Sequence, residues 1–440
     1  MPAERSHLSD YMCDLVVSTT QATINSGLKE YLSLGNQPEI FLCFVSQLPS
    51  ADNTWPDHVL VPWDDVKATG VDPFEIPDGA HLDDDRVSKL DKMRFAVGIK
   101  ARMGIPEESN PSDPKGPNGA SVPPVVELGY DKSKVTFNVY LSDATVVDWS
   151  DGLWTVWTQP RDEQWWIATR ASLAVEQDPL LLNIPLYHNH PEIRDKLLNH
   201  LEDLEGLTQM RFSLQQLLVD LQNSMVIAYN INSIYGLPTR VPSGSVVGAV
   251  MKAYVQNFGR PLLAVLAVPN TEPDRSQLAV TSIRPYVSPA KDENGRHVSP
   301  PTPEQHDLQT LDYICAVGGN SAGTIAQNDF DWRWVDDVNS QSGAIAIRRW
   351  VIANFFLQQI LPSCERCCYI PYTSVDAHAG GKVVYDCHLS QGGKPQYNIP
   401  IAGNSIAQVN YRTEARARNS SGATDGEFNI TVTYNCEVTA

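Results

Sequence analysis

Met93-Arg94-Phe95-Ala96-Val97-Gly98-Ile99-Lys100-Ala101-Arg102-Met103 is the stretch on which the fold turns. Met93, Phe95, Val97, Ile99, Ala101 and Met103 fall on one side of an extended chain, and Arg94, Lys100 and Arg102 on the other. That period of two predicts an antiparallel strand with one buried face. Val135, Phe137, Val139 and Leu141 repeat it, as do Phe428, Ile430, Val432, Tyr434, Cys436 and Val438. Leu153–Thr158 and Trp165–Ala171 predict a hairpin around Pro160-Arg161-Asp162-Glu163. No strand–helix–strand alternation is evident, so the expected class is α+β with antiparallel sheets.

Between the strands lie segments with helical spacing. Ala22–Leu34 places Ile24, Leu28, Tyr31 and Leu32 on one stripe, with Thr20 as N-cap. Pro191–Leu204 carries Ile193, Leu197, Leu201 and Leu204 on another. Ser245–Phe258 carries Val247, Val250, Met251, Tyr254, Val255 and Phe258, then Gly259 as a stop. Arg349–Leu361 is apolar nearly all round and is predicted to end at Pro362, wrapped by other structure.

The chain of 440 residues is long enough for a large core and for two or three domains. Residues 1–283 read as one region carrying a Pro-rich loop at 105–124. Residues 284–309 read as a second Pro-rich loop, and 310–440 as a helix plus antiparallel strands that complete the fold. The acidic stretch Asp52–Asp91 is expected to face solvent. A net charge of −19 argues against nucleic-acid binding and against docking on anionic membranes. The longest apolar runs, such as Leu262–Pro269, are too short to span a bilayer. The N-terminal residues lack the apolar centre of a signal peptide, so the expectation is a soluble cytoplasmic protein, with non-classical release left open. The 8 cysteines are then expected as reduced thiols.

Gly319-Asn320-Ser321-Ala322-Gly323 fits G-x-S-x-G, in which a serine stands on a tight strand-to-helix turn with Tyr313–Val317 as the strand. Asp376, Asp386, His378 and His388 follow in the order a hydrolase needs, but no oxyanion segment precedes and Thr324–Phe330 makes a poor helix. A simple turn is the competing reading. Cys364, Cys367, Cys368, Cys387 and His388 have zinc-like spacing, against which stands a set of buried thiols. His188, His190 and Glu192 could hold a metal, or simply punctuate a helix start. Trp149, Trp154, Trp157, Trp165 and Trp166 alternate between two faces, which favours core packing over one groove. No resident metal or cofactor is expected.

Several segments, read in order, resemble one family. They are Tyr11-Met12-Cys13-Asp14-Leu15-Val16-Val17 leading into Ile24-Asn25 and Leu28, then Phe212–Leu221, Gly259–Val265, Leu311-Asp312-Tyr313, Phe330–Val335 and Gly343–Arg349. Their order and content are similar to the OrfX-type accessory proteins of clostridial neurotoxin gene clusters. Ala264 stands where that family has a glycine, and residues beyond Leu361 carry no match. The resemblance implies a TULIP (tubular lipid-binding) fold: strongly curved antiparallel sheets wrapping long apolar helices around an elongated apolar cavity. It implies noncatalytic binding of a lipid or other hydrophobic ligand, with an accessory role beside a toxin. The cavity wall expected on this basis is Ile24, Leu28, Val247, Met251, Tyr254, Val255, Phe355 and Phe356. Partners expected are an apolar ligand and a protein partner or second copy. The alternatives are an esterase-like serine hydrolase using Ser321 and a structural or assembly protein.

Overall fold

The computed structural model describes residues 7–33, 39–47, 58–106, 115–129, 134–177, 191, 192, 195, 199, 212–226, 243–258, 262–269, 278, 280–318, 330–379, 381–419 and 426–439. In chain order come β1 (Leu15–Thr20), α1 (Gln21–Ser33), β2 (Glu39–Ser46), β3 (His58–Val61), α2 (Trp63–Lys67), α3 (Asp85–Lys92) and β4 (Phe95–Met103). Then come β5 (Val126–Leu128), β6 (Lys134–Ser150), β7 (Leu153–Thr158), β8 (Trp165–Gln177), β9 (Phe212–Val226), α4 (Ser243–Phe258) and β10 (Leu262–Pro269). β11 (Val280–Ser288), α5 (Pro303–Asp307), β12 (Thr310–Val317) and β13 (Gly343–Ile347) complete the larger part.

Every strand pair among the described residues is antiparallel. The large sheet runs β10-β9-β8-β6-β4-β2-β3 and curls into a half-barrel. β6 is its hub. On one edge β6 pairs with β5 through Val135–Phe137 and with β4 through Leu141–Asp148. On the other it pairs with β8 through Lys134–Leu141 and with β7 through Thr145–Ser150. The predicted hairpin of 153–158 with 165–171 is therefore corrected: β7 and β8 lie end to end along β6. The true turn is Asp151-Gly152, both with positive φ (55° and 77°), the backbone that a two-residue hairpin demands.

A second sheet runs β11-β12-β1-β13. It joins Leu15–Thr20 to Thr310–Val317 and Gly343–Ile347, and so unites residues from both sides of the expected loop at 284–309. Arg284–Ser288 of that loop finish β11, where Pro285 sits on an edge strand that can spare its N–H.

The main core lies between the two sheets. Ile24, Leu28 and Leu32 of α1 and Val250, Met251 and Tyr254 of α4 pack there with Leu42 and Phe44 of β2 and with Leu311 and Tyr313 of β12. The outer face of the large sheet is covered as well. Val66, Val87 and Leu90 from α2 and α3 pack on Cys43, Phe95, Val147 and Trp154. This covering corrects the expected half-buried β4, which is buried on both faces from Phe95 to Ile99. A bulge opposite Phe44/Val45 turns Phe95 outward while Ala96, Val97 and Ile99 face the main core. Gly98 leaves room for that ring: a Cβ there would stand 3.0 Å from Phe95 Cζ and 2.9 Å from Val147 Cγ2.

The expectation of long apolar helices is also corrected. Strands make up nearly half of the described residues, about twice the usual share, and they supply most of the buried apolar residues. Each helix needs only one buried stripe. α6 (Arg349–Arg366) runs through Pro362 and buries Val351, Ala353, Leu357 and Cys364 while Trp350 is 53% exposed. After it come β14 (Tyr369–His378), β15 (Lys382–Gln391), β16 (Gln396–Asn398), β17 (Ser405–Asn419) and β18 (Gly426–Thr439). They form a two-stranded sheet, β14-β15, and a three-stranded sheet, β16-β17-β18. Of the predicted helix 191–204, Pro191, Glu192, Asp195 and Asn199 are helical and the rest lies outside the described residues.

Helix α1 is fastened to the large sheet by side chains. Asn25 Nδ2 donates to Val126 O at 2.8 Å, and Asn25 Oδ1 accepts from Val126 N at 2.7 Å. Gln21 Oε1 accepts from Leu128 N at 2.7 Å. Asn25→Leu leaves both backbone groups of Val126 buried without these partners and is expected to cost about 2–4 kcal/mol. Chemical denaturation of the variant against the parent protein measures this, and a change below about 0.5 kcal/mol contradicts it.

Candidate functional site

The main core between the two sheets is the candidate site, and five of the eight expected wall residues meet there. Ile24 and Leu28 enter from α1, Met251 and Tyr254 from α4, and half-buried Val255 packs on the same cluster. Tyr254 meets Phe137 of β6 edge-on, with ring centres 5.2 Å apart. Helical spacing puts Met251, Tyr254 and Val255 on one stripe of α4 because i, i+3 and i+4 share a face. Val247 lies on α4, but its side chain is outside the described residues. Phe355 and Phe356 are not brought here. They stand half-buried on α6, edge to face with one another at 5.3 Å.

Trp154 and Trp157 of β7 divide between two clusters as alternation requires, whereas the adjacent Trp165 and Trp166 of β8 share one. Trp165 and Trp166 are buried in the main core with Trp157 against it, while Trp154 and Trp149 belong to the outer cluster. Trp154 stacks on Phe95 at 5.5 Å, so these rings are packing and line no common groove.

The expected serine elbow has a different setting. Its strand is β12, central in an antiparallel sheet and buried along its whole length. Gly319–Gly323, with Ser321, lie outside the described residues. His378 and His388 are on the β14–β15 hairpin, where the His388 ring stacks on Tyr372 at 5.1 Å.

The cysteines regroup. Cys364 at the end of α6 packs with Cys436 of β18, a residue outside the expected zinc set. The Tyr434 hydroxyl lies 3.5 Å from Cys364 Sγ. Cys368 Sγ donates to Cys364 O at 3.1 Å, and Cys367 and Cys387 are exposed. Among the described residues no three His, Cys, Asp or Glu side chains converge as a metal site. His188 and His190 lie outside the described residues. Cys436 was visible in the sequence as an inward position of an alternating strand, but the strand's partner was not.

A buried polar knot also escaped the sequence reading. Asp312 of β12, 0% exposed, accepts at Oδ2 from Ser288 Oγ and, at 3.0 Å, from Trp334 Nε1. Lys291 Nζ donates to Phe330 O and, at 3.4 Å, to Trp332 O. These bonds hold the segment Phe330–Val335, with its packed aromatic rings, on the outer face of the smaller sheet. The family-like Phe330-Asp331-Trp332-Arg333-Trp334-Val335 block is thus an aromatic cap and no strand.

Burial holds the Asp312 carboxyl above the ordinary carboxylate range, against the hydroxyls of Ser288, Thr310 and Ser18 and the ammonium of Lys291. A raised folded value means that the neutral form favours folding. That contribution is complete below the unfolded value of about 3.9 and is lost as pH rises through the folded value. Asp312→Asn keeps acceptor and donor groups without the charge. It is expected to remove this loss, flattening the fall in stability as pH rises above about 4. Denaturation midpoints measured across that range check it, and identical slopes in parent and variant contradict it.

Comparison with protein-family models and with curated proteins finds no match to this chain.

Proposed function

We propose that the half-barrel binds a lipid or another elongated apolar ligand without catalysing a reaction. The observation that carries this reading is the curled antiparallel sheet closed by α1 and α4, with Ile24, Leu28, Met251 and Tyr254 meeting on its concave side. An acyl chain entering between helix and sheet would gain about 0.8 kcal/mol for each CH₂ removed from water.

Native mass spectrometry of freshly purified protein, followed by organic extraction, tests it. The expected result is one bound lipid per chain. Val255→Trp, which fills the half-buried edge of the cluster, is expected to lower the bound fraction about fivefold or more. A bare mass, both as isolated and after exposure to mixed phospholipid and fatty-acid vesicles, overturns the proposal.

A second reading, assembly with other protein chains, draws on the C-terminal sheets. Ile401 is 96% exposed and Leu389 53%, and Tyr372, Val384, Tyr397 and Phe428 are also open. Scattered apolar residues are ordinary, but these gather on one small set of strands and on the bend between β16 and β17. Along the outer edge of β18 no strand pairs among the described residues, and an open edge offers a row of backbone donors and acceptors. Light scattering is expected to give a mass above one chain at roughly 10–100 μM, where transient interfaces of this size populate. A single-chain mass throughout rejects self-assembly.

A further inference from the structure

We propose that Cys364 and Cys436 are a thiol pair that closes into a disulfide by exchange with a small-molecule disulfide, with exposed Cys367 as the thiol of entry. The modification would fasten α6 covalently to β18.

The pair is built by two independent features of the fold. Alternation along β18 turns Tyr434, Cys436 and Val438 toward α6, opposite Tyr411, Val409 and Ala407 of β17. The last turn of α6 then presents Leu361 and Cys364 to the same apolar cluster. Cys364 is 1% exposed and packs in one apolar cluster with half-buried Cys436, and the Tyr434 hydroxyl lies 3.5 Å from its thiol. Two thiols that share one apolar cluster, on elements packed against each other, are placed to meet.

The other cysteines are placed differently. Cys13 and Cys315 each donate to a backbone carbonyl two residues earlier, Tyr11 O and Tyr313 O. Cys368 is tied to Cys364 O, and Cys387 is exposed on β15. Cys367 is exposed, and its backbone N–H donates to Cys364 O at 3.0 Å, which keeps it beside the pair.

The chemistry balances in three exchanges. The Cys367 thiolate attacks one sulfur of a disulfide such as oxidised glutathione and expels one glutathione thiolate. The Cys364 thiolate attacks the Cys367 sulfur of this mixed disulfide and expels the second. The Cys436 thiolate then attacks the Cys364 sulfur and returns Cys367 as a thiolate. Two protein thiols are oxidised by two electrons, one glutathione disulfide is reduced to two thiols, and the protons of Cys364 and Cys436 pass to the departing thiolates. Burial pushes the Cys364 thiol above its usual range, which keeps it protonated and makes the second exchange the slow one.

Trypsin reads the outcome without ambiguity. Cleavage after Arg366 separates Cys364 from Cys367 and Cys368, and cleavage after Arg418 isolates the peptide holding Cys436. The folded full-length chain is incubated with oxidised glutathione, alkylated and digested. The expected product is a Cys364–Cys436 cross-linked peptide pair that disappears on reduction. A loop of about seventy residues is closed, so Tm is expected to rise by roughly 5 °C in the oxidised protein. Cys367→Ser is expected to leave the same linkage but slow its formation about tenfold or more, because the direct route must use the buried thiols. Cys436→Ser is expected to abolish both the linkage and the Tm rise, leaving Cys367 as a mixed disulfide or bonded to Cys364. Full alkylation of Cys364 and Cys436 after oxidation overturns the proposal, as does a dominant link from Cys364 to Cys368 or Cys387.

Discussion

Everything in the larger part of the protein hangs on how α1 meets β5. The helix begins at Gln21, directly after Thr20 ends β1, so its first turns are rigidly continuous with the smaller sheet. Gln21 and Asn25 then satisfy the backbone of Val126 and Leu128 on the edge of β5 that β6 leaves open. A helix face thereby does what a neighbouring strand would do. The two sheets are held in one arrangement by groups that must be paired, because both side chains are buried. Burial of apolar area alone would allow sliding; this set of hydrogen bonds does not.

With that joint fixed, the half-barrel can be lined by residues from widely separated segments. Ile24, Met251 and Tyr313 share one core although they are far apart in the sequence. The same constraint explains the doubled covering of β4. One face of the strand turns to the helices between the sheets and the other to α2 and α3, and the bulge at Phe95 reconciles a single strand with two cores. The C-terminal sheets lack such a double covering. They rest on the apolar stripe of α6, which Arg349 pins by donating to Pro400 O and Ser405 O.

Legibility in the sequence followed the range of the interaction. Alternation in 135–141 and 428–438 announced β6 and β18, and the stripes of 22–34 and 245–258 announced α1 and α4, since these depend on neighbours along the chain. What was lost depended on distant partners. Pro160–Glu163 read as a hairpin turn because β6, along which β7 and β8 lie end to end, cannot be inferred from either strand. The even spread of apolar residues in α6 read as a wholly wrapped helix, whereas Trp350, Gln358 and Gln359 face outward. At the site, four of the eight expected wall residues, Ile24, Leu28, Met251 and Tyr254, were found buried together because stripe and sheet periodicity suffice for them. Cys436, Asp312 and Lys291 were missed because their meaning comes only from what crosses them in space.

The pairing of β1 carries a consequence for how the protein is made. Leu15–Thr20 has β12 and β13 as its two neighbours, at Thr310–Cys315 and Gly343–Ile347. Ribosomes add roughly 5–20 residues each second, so the first strand waits about 15–60 s for its last partner to emerge. Val16, buried under the aromatic cap in the finished protein, is exposed throughout that interval. The half-barrel strands β2 to β8, by contrast, find partners soon after synthesis. While the large sheet forms, β1 therefore stays without its neighbours, and the burden of keeping that strand from strangers falls on the cell until β12 and β13 arrive.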